Sequence, residues 1–314
     1  MTKKEKGFVP VMLTPFKENG AVDFEGLDRI TEFYLRSGAK GLFANCLSSE
    51  LFELTDAEKL KVISRVMKAA GGQVPVVAAG NFGRTLKEQA DFIKRVYDTG
   101  VQAVIVLTGL LAEEAASDTV LEDAIGRLLS LTGNIPLGFY ECPVPYKRII
   151  SPQLLGKLVN TGRVIYHKDT CLNIEQVREK NRLCAGKPSF GLYDAYMVHA
   201  VASLRSGSAG LSCIQGNFFP ELVVWLCKHY DNASLKKEVQ LVQQFFIDEM
   251  DVMHRNYPKA AKYYLWKNGM NISVYTRESG NSQVSYAIKE DVEKLELRFR
   301  DLAEKIPGVL VRAQ

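Results

Sequence analysis

Lys168 ends an apolar run, Val164-Ile165-Tyr166-His167-Lys168-Asp169-Thr170, that follows a glycine turn at Gly162. Side chains alternate along a strand, so Tyr166 and Lys168 share one face and His167 takes the other. If helices cover the outer face, Lys168 points into the interior. Burial disfavours the ammonium and lowers the lysine pKa, and the free amine can attack a ketone to form an imine. On this segment alone, the competing reading is a lysine that snorkels from the strand end to water or to a carboxylate. Other apolar runs end in Ser48-Ser49, Thr108, Tyr140 and Ser212. A phenol can move protons, and hydroxyls with loop N–H groups can hold a carboxylate. Singly, each is as well explained as a loop, cap or rim residue. Recurring at successive strand ends, they point to imine chemistry on a small 2-oxo acid. The expected roles are Lys168 as nucleophile, Tyr140 as proton carrier, and Ser48, Ser49, Ser212 and Thr108 as substrate-binding hydroxyls.

The elements that must position them follow from periodicity. Apolar runs at 8–13, 42–46, 74–79, 103–107, 136–139, 164–166, 189–192 and 210–214 have strand character. Between them lie helical patterns. Residues 23–37 place Phe24, Leu27, Ile30, Phe33 and Tyr34 on one face, and Thr55…Glu58 and Thr85…Glu88 are capping boxes. Residues 118–132 are helical, Ser151-Pro152 opens another helix, and Asn173 with Gln176 caps the one after Lys168. Eight strand–helix units of about thirty residues each predict an α/β fold, a (β/α)8 TIM barrel over 1–231, with its chemistry at the C-terminal strand ends. A doubly wound open sheet is disfavoured, because no Gly-x-Gly-x-x-Gly follows the first strand. Residues 232–314 are helical in pattern, with Val239, Val242, Phe246 and Met250 on one face, and are expected to pack on the barrel.

The bulk numbers narrow the class. In 314 residues, 46% are hydrophobic and 24% charged, enough for a sizeable core. A net charge of +4, from 40 basic and 36 acidic residues, is interspersed and gives no nucleic-acid footprint. No apolar run is long enough for a bilayer, and the start lacks a signal-peptide core. Six cysteines are scattered without a Cys-x-x-Cys pair, and no histidine pair has metal spacing. The expectation is a reduced, cytoplasmic protein without metal or cofactor, whose partner is a small-molecule 2-oxo acid.

Several stretches resemble the dihydrodipicolinate synthase and N-acetylneuraminate lyase family of class I aldolases. They are Val11-Met-Leu-Thr-Pro-Phe16 with Gly20 and Asp23, Pro75-Val-Val-Ala-Ala-Gly80, and Tyr140-Glu-Cys-Pro143. Lys168-Asp-Thr, Gly210-Leu-Ser-Cys213 with Asn217, and Pro258-Lys259 continue the match. The resemblance implies a (β/α)8 barrel with C-terminal helices, a homo-oligomer (tetramer or dimer), Lys168 as Schiff-base lysine for pyruvate or another 2-oxo acid, and Tyr140 as proton-transfer phenol. The departures are as informative. The family's Gly-[Ser/Thr]-[Ser/Thr]-Gly-Glu loop is Cys46-Leu47-Ser48-Ser49-Glu50 here, its Thr-Pro-Tyr-Tyr is Thr108-Gly-Leu-Leu111, and the arginine after Tyr-x-x-Pro falls on Pro145, with Lys147 or Arg148 as substitutes from a shifted position. Aldol cleavage, condensation or dehydration of a sugar acid or keto acid is therefore expected ahead of dihydrodipicolinate synthesis. A catalytically silent ligand-binding barrel is the reading from another class.

Overall fold

Alternation sorts the strand residues into two packed layers. In the fourth strand Val104 and Val106 join the core that faces the helices, while Ala103, Ile105 and Leu107 join a second cluster inside the sheet. The third strand repeats this, with Val76 and Ala78 outside and Val77 and Ala79 inside. The structure is a computed structural model that describes residues 5–309. Its strands are β1 Gly7–Phe8, β2 Leu42–Ala44, β3 Val76–Ala79, β4 Ala103–Leu107, β5 Leu137–Tyr140, β6 Val164–Asp169, β7 Gly191–Asp194 and β8 Gly210–Leu211. All pair in parallel in the order β1-β8-β7-β6-β5-β4-β3-β2. A parallel bridge from Val11 to Phe43 closes the ring. The result is the (β/α)8 barrel expected from the strand–helix rhythm.

β2 and β8 stop at Ala44 and Leu211, short of the runs 42–46 and 210–214, and β1 and β6 differ further from the sequence reading. The run 8–13 was expected to be one strand, yet regular pairing stops at Phe8. Pro10 has no N–H to donate, and only its carbonyl is used, by Phe43 N at 3.0 Å. Alternation is also broken in β6, where Leu137 pairs with Val164 but Gly138 pairs with Tyr166. The extra residue is a bulge. It leaves Val164 in the outer core and turns Tyr166 inward. Gly138 permits the close approach there, since a Cβ would lie 2.5 Å from Ile105 Cδ1 and 2.8 Å from Tyr166 Cβ.

The helices are α1 Phe24–Arg36, α2 Asp56–Ala70, α3 Leu86–Tyr97, α4 Asp118–Leu131, α5 Pro152–Asn160, α6 Ile174–Leu183, α7 Ala200–Ser206 and α8 Pro220–His229. Both capping boxes form, Ser151 caps α5, and Asn173 accepts from Glu175 N and Gln176 N at the start of α6. Beyond the barrel lie α9 Lys236–Asp248, α10 Met250–His254, α11 Lys259–Lys267 and α12 Tyr286–Ala303. One continuous hydrophobic cluster holds Leu27 and Phe219 of the barrel together with Val242, Phe246 and Phe299 of this tail. Phe219 and Phe299 stack at 4.3 Å. The tail's α10 and the loops around α11 reach the C-terminal mouth of the barrel, where Met250, Tyr257 and Glu278 line the same cavity as Lys168. No helix among the described residues is long and apolar enough to cross a membrane.

Candidate active site

Register brings the two principal residues together. Tyr140 and Lys168 are direct cross-strand partners in β5 and β6, and Lys168 Nζ lies 4.1 Å from the centroid of the Tyr140 ring. Below them the barrel is aromatic. Phe43 meets Tyr140 and Tyr166 edge-on at 5.9 and 6.1 Å, and Tyr166 stacks on Tyr193 at 4.7 Å. Above them opens a cavity of about 760 Å³, lined by Ser48, Tyr140, Lys168 and Tyr257 among others. Lys168 is 4% exposed. Burial pulls its pKa below the ordinary lysine value, an effect the Cys46, Cys142 and Cys213 thiols offset only in part. Burial, then the neighbouring thiols of Cys142 and Cys46, keep the Tyr140 phenol well above 10. The site therefore favours a neutral amine beside a protonated phenol, a nucleophile next to a proton donor.

The hydroxyls expected around them divide. Ser48 lines the cavity with Tyr257, and burial pushes the Tyr257 phenol up while the Ser48 hydroxyl draws it down. Ser49, Thr108 and Ser212 do not line the cavity. Ser49 Oγ donates to Met12 O at 2.7 Å and accepts from Cys46 N at 3.0 Å, which braces the tight turn Leu47–Ser49. Thr108 Oγ1 donates to Arg148 O at 2.5 Å, tying the β4 and β5 loops together. Ser212 Oγ accepts from Tyr166 Oη at 3.3 Å. The two candidate substitute cations also part company. Lys147 lines the cavity, with its ammonium donating to Thr170 O at 3.0 Å. Arg148 points to Asp118 and to the carbonyls of Glu114 and Ala116.

Tyr257 escaped the sequence reading. It comes from the tail, and Asn217 Nδ2 donates to its oxygen at 2.5 Å while Tyr34 Oη donates to Asn217 Oδ1. A polar chain thus runs from Tyr34 in α1 through Asn217 to the Tyr257 phenol, which lines the cavity with Ser48. The only available signal was an aromatic residue beside the tail's Pro258.

Outside the barrel wall lies a second unread group. His167, which alternation turns away from Lys168, shares a fully buried cluster with Glu141, Asp169 and Lys180. Lys180 Nζ is 2.6 Å from both Glu141 Oε1 and Asp169 Oδ2, and His167 Nε2 is 3.4 and 3.5 Å from the same two oxygens. Glu141, His167 and Asp169 are close enough to converge on a metal, but the Lys180 ammonium already bridges the two carboxylates. Glu141 also accepts from Ile150 N and Thr170 N at 3.1 and 3.0 Å. It joins the loops that leave Tyr140 and Lys168.

Comparison with known proteins fits this geometry. The model of the "Dihydrodipicolinate synthetase family" matches residues 4–294. The chain belongs to the dihydrodipicolinate synthetase family. It is 28% identical over 218 residues to 4-hydroxy-tetrahydrodipicolinate synthase of Roseobacter denitrificans, covering 69% of this chain and 72% of that one. Among solved structures of this family, a monomeric dihydrodipicolinate synthase variant superposes with a TM-score of 0.84 at 19% identity, covering 98% of each chain. A prophage protein of the family from E. coli K12, in complex with pyruvate, superposes with a TM-score of 0.80 at 19% identity, covering 95% of this chain and 98% of that one. At such identities the two structures speak to the fold alone.

Proposed function

We propose that this member of the family is a Schiff-base-forming carbon–carbon lyase, or a related carbon–oxygen lyase, that acts on pyruvate or a similar 2-oxo acid. The observation that carries this reading is a buried lysine, held by register against a buried phenol where both line one cavity. The neutral Lys168 amine attacks the ketone carbon, water leaves, and the resulting imine acts as the electron sink at C2. Tyr140, protonated at rest, delivers and recovers the proton at the reacting carbon and oxygen. Ser48, which lines the cavity with Tyr257, offers its hydroxyl to the carboxylate. The prophage relative was solved in complex with pyruvate, which makes pyruvate the first 2-oxo acid to try. Assembly as a homo-oligomer in the cytoplasm belongs to the same proposal, and sedimentation checks the former.

The test is reductive trapping. Pyruvate with borohydride is expected to add a reduced adduct to Lys168 in the intact protein, located by mass spectrometry of the peptide. A Lys168→Ala protein that labels as well as wild type would remove the reading.

A further inference from the structure

The cavity widens above Lys168 into a mouth whose surface indicates the second reactant. Leu172, Val144 and Phe52 leave 52%, 41% and 38% of their surfaces exposed, and all three line this one cavity with Leu47, Ile214 and Met250. Exposed apolar side chains scattered singly carry no message, whereas a cluster at a cavity mouth marks a binding surface. Leu172 is held there at a φ of 61°, a left-handed conformation that costs a leucine energy. The polar part of the mouth is acidic. Glu53, Asp251 and Glu278 line it, and Glu50 lies among them paired with Lys262. Opposing charge is scarce. Beside Lys168, Lys147 is the lysine on the wall, its ammonium held on Thr170 O, and His254 lies at the rim, while Arg148 and Arg277 pair with Asp118 and Glu58 and do not line the cavity.

We infer that the second reactant is a neutral aldehyde carrying an apolar alkyl or aryl group, which lies against Leu172, Val144 and Phe52. This rests on the Schiff-base reading above. In the synthetic direction, C3 of the Lys168-bound enamine forms a bond to the aldehyde carbon. The proton lost from C3 ends on the aldehyde oxygen, and one water, equal to that released on imine formation, hydrolyses the imine. The product is a 4-hydroxy-2-oxo acid with an apolar substituent at C4, and cleavage is the reverse. An aldehyde bearing its own carboxylate would face three acidic side chains, Glu53, Asp251 and Glu278, and would have to compete with Thr170 O for the Lys147 ammonium.

The experiment has two stages. Borohydride trapping with pyruvate tests the Schiff base. Benzaldehyde, hexanal, glyceraldehyde and succinic semialdehyde are then compared as acceptors for pyruvate. The apolar aldehydes are expected to exceed the other two in kcat/KM by roughly tenfold or more, the scale of a hydrophobic pocket's discrimination. The variant Leu172→Asn/Val144→Thr, in which asparagine tolerates the left-handed backbone, is expected to cut that ratio several-fold. If Lys168 is trapped but the apolar aldehydes hold no advantage, the acceptor class is wrong and the Schiff-base reading stands. If Lys168 is not trapped in wild type, both fall. If the variant keeps the ratio but changes its sedimentation, the apolar rim is a subunit contact and the inference is overturned.

Discussion

Burial, not a neighbouring charge, sets the state of Lys168. Because its pKa lies below the ordinary 10.5, the attacking amine becomes available at lower pH than on an exposed lysine. The rate of pyruvate trapping is therefore expected to rise with pH through a midpoint below 10.5; a midpoint at or above that value would mean the ammonium is stabilised in place. Tyr140→Phe keeps the ring that the Lys168 amine faces and removes the hydroxyl. Turnover is expected to fall by roughly 10²–10⁴, the span for a positioned acid–base group, and a loss under about tenfold would make Tyr140 a packing residue. Tyr257 acts one step away. Tyr257→Phe removes the phenol that Asn217 holds on the cavity wall beside Ser48, so KM for the 2-oxo acid should rise several-fold, consistent with about 1 kcal/mol for one hydrogen bond, while kcat changes less. An equal fall in kcat with unchanged KM would instead put Tyr257 in the proton path.

At the scale of elements, β5 and β6 are locked on both faces. Inside, Tyr140 meets Lys168; outside, Glu141 and Asp169 meet Lys180. Burial alone would push Asp169 up, but the His167 ring 3.5 Å away and the Lys180 ammonium outweigh it and hold the carboxyl well below its usual range. Burial likewise works against the Lys180 charge, and Glu141 and Asp169 reverse it, raising the lysine above its ordinary value. Lys180→Met leaves two buried carboxylates without a counter-charge, which is expected to cost about 3–5 kcal/mol of stability in urea unfolding at neutral pH. Asp169 is depressed, so its contribution is complete above the unfolded carboxyl pKa of roughly 3.9 and fades as pH falls through the folded value. The variant's deficit should shrink in acid, and a deficit independent of pH would assign it to lost packing. Little of this cluster was legible beforehand. Strand alternation turned His167 away from Lys168, but nothing in the spacing of residues 141, 167, 169 and 180 announced a shared pocket. Topology hid the thiols in the same way. Cys46, Cys142 and Cys213 look scattered, yet each lies two residues past the end of β2, β5 or β8, which brings all three around Lys168. Capping boxes, by contrast, are local, and Thr55 and Thr85 form theirs where their spacing predicts. Ser49, Thr108 and Ser212 show the limit of reading strand ends: position was right, but each hydroxyl serves the backbone or a neighbouring phenol.

For the whole molecule, the decisive contact joins the barrel to its tail. The pattern of residues 232–314 indicated helices packed on the barrel, but not that they complete the cavity or how they are pinned there. The pin is Glu50, at the end of the β2 loop with a φ of 55°. Its Oε1 accepts from Lys262 Nζ at 2.6 Å, and its Oε2 accepts from Arg277 N at 2.7 Å and Glu278 N at 3.2 Å. Lys262 also donates to Tyr275 O and sits 4.6 Å from the centre of the Phe16 ring. Arg277 extends the join with a forked contact to Glu58 at 2.6 and 2.9 Å. Burial draws Lys262 down to about 8, with Glu50 opposing that fall. Glu50→Gln keeps the shape and removes the opposing charge, so below pH 8 the variant must either bury a lone ammonium or deprotonate it. The sign follows from the depressed pKa: between about 8 and 10.5 the unfolded chain binds more protons than the folded one, so this group favours folding as pH rises and its contribution is lost as pH falls through 8. In the variant the folded pKa drops further, and the difference from wild type is greatest at neutral pH. Urea midpoints at pH 7 should separate the two proteins by a few kcal/mol, within about 3–5 kcal/mol for a broken buried pair, and the gap should narrow by pH 9.5. A gap of the same size at both values would mean that Glu50 holds the tail by its backbone hydrogen bonds to Arg277 and Glu278, with Lys262 neutral throughout.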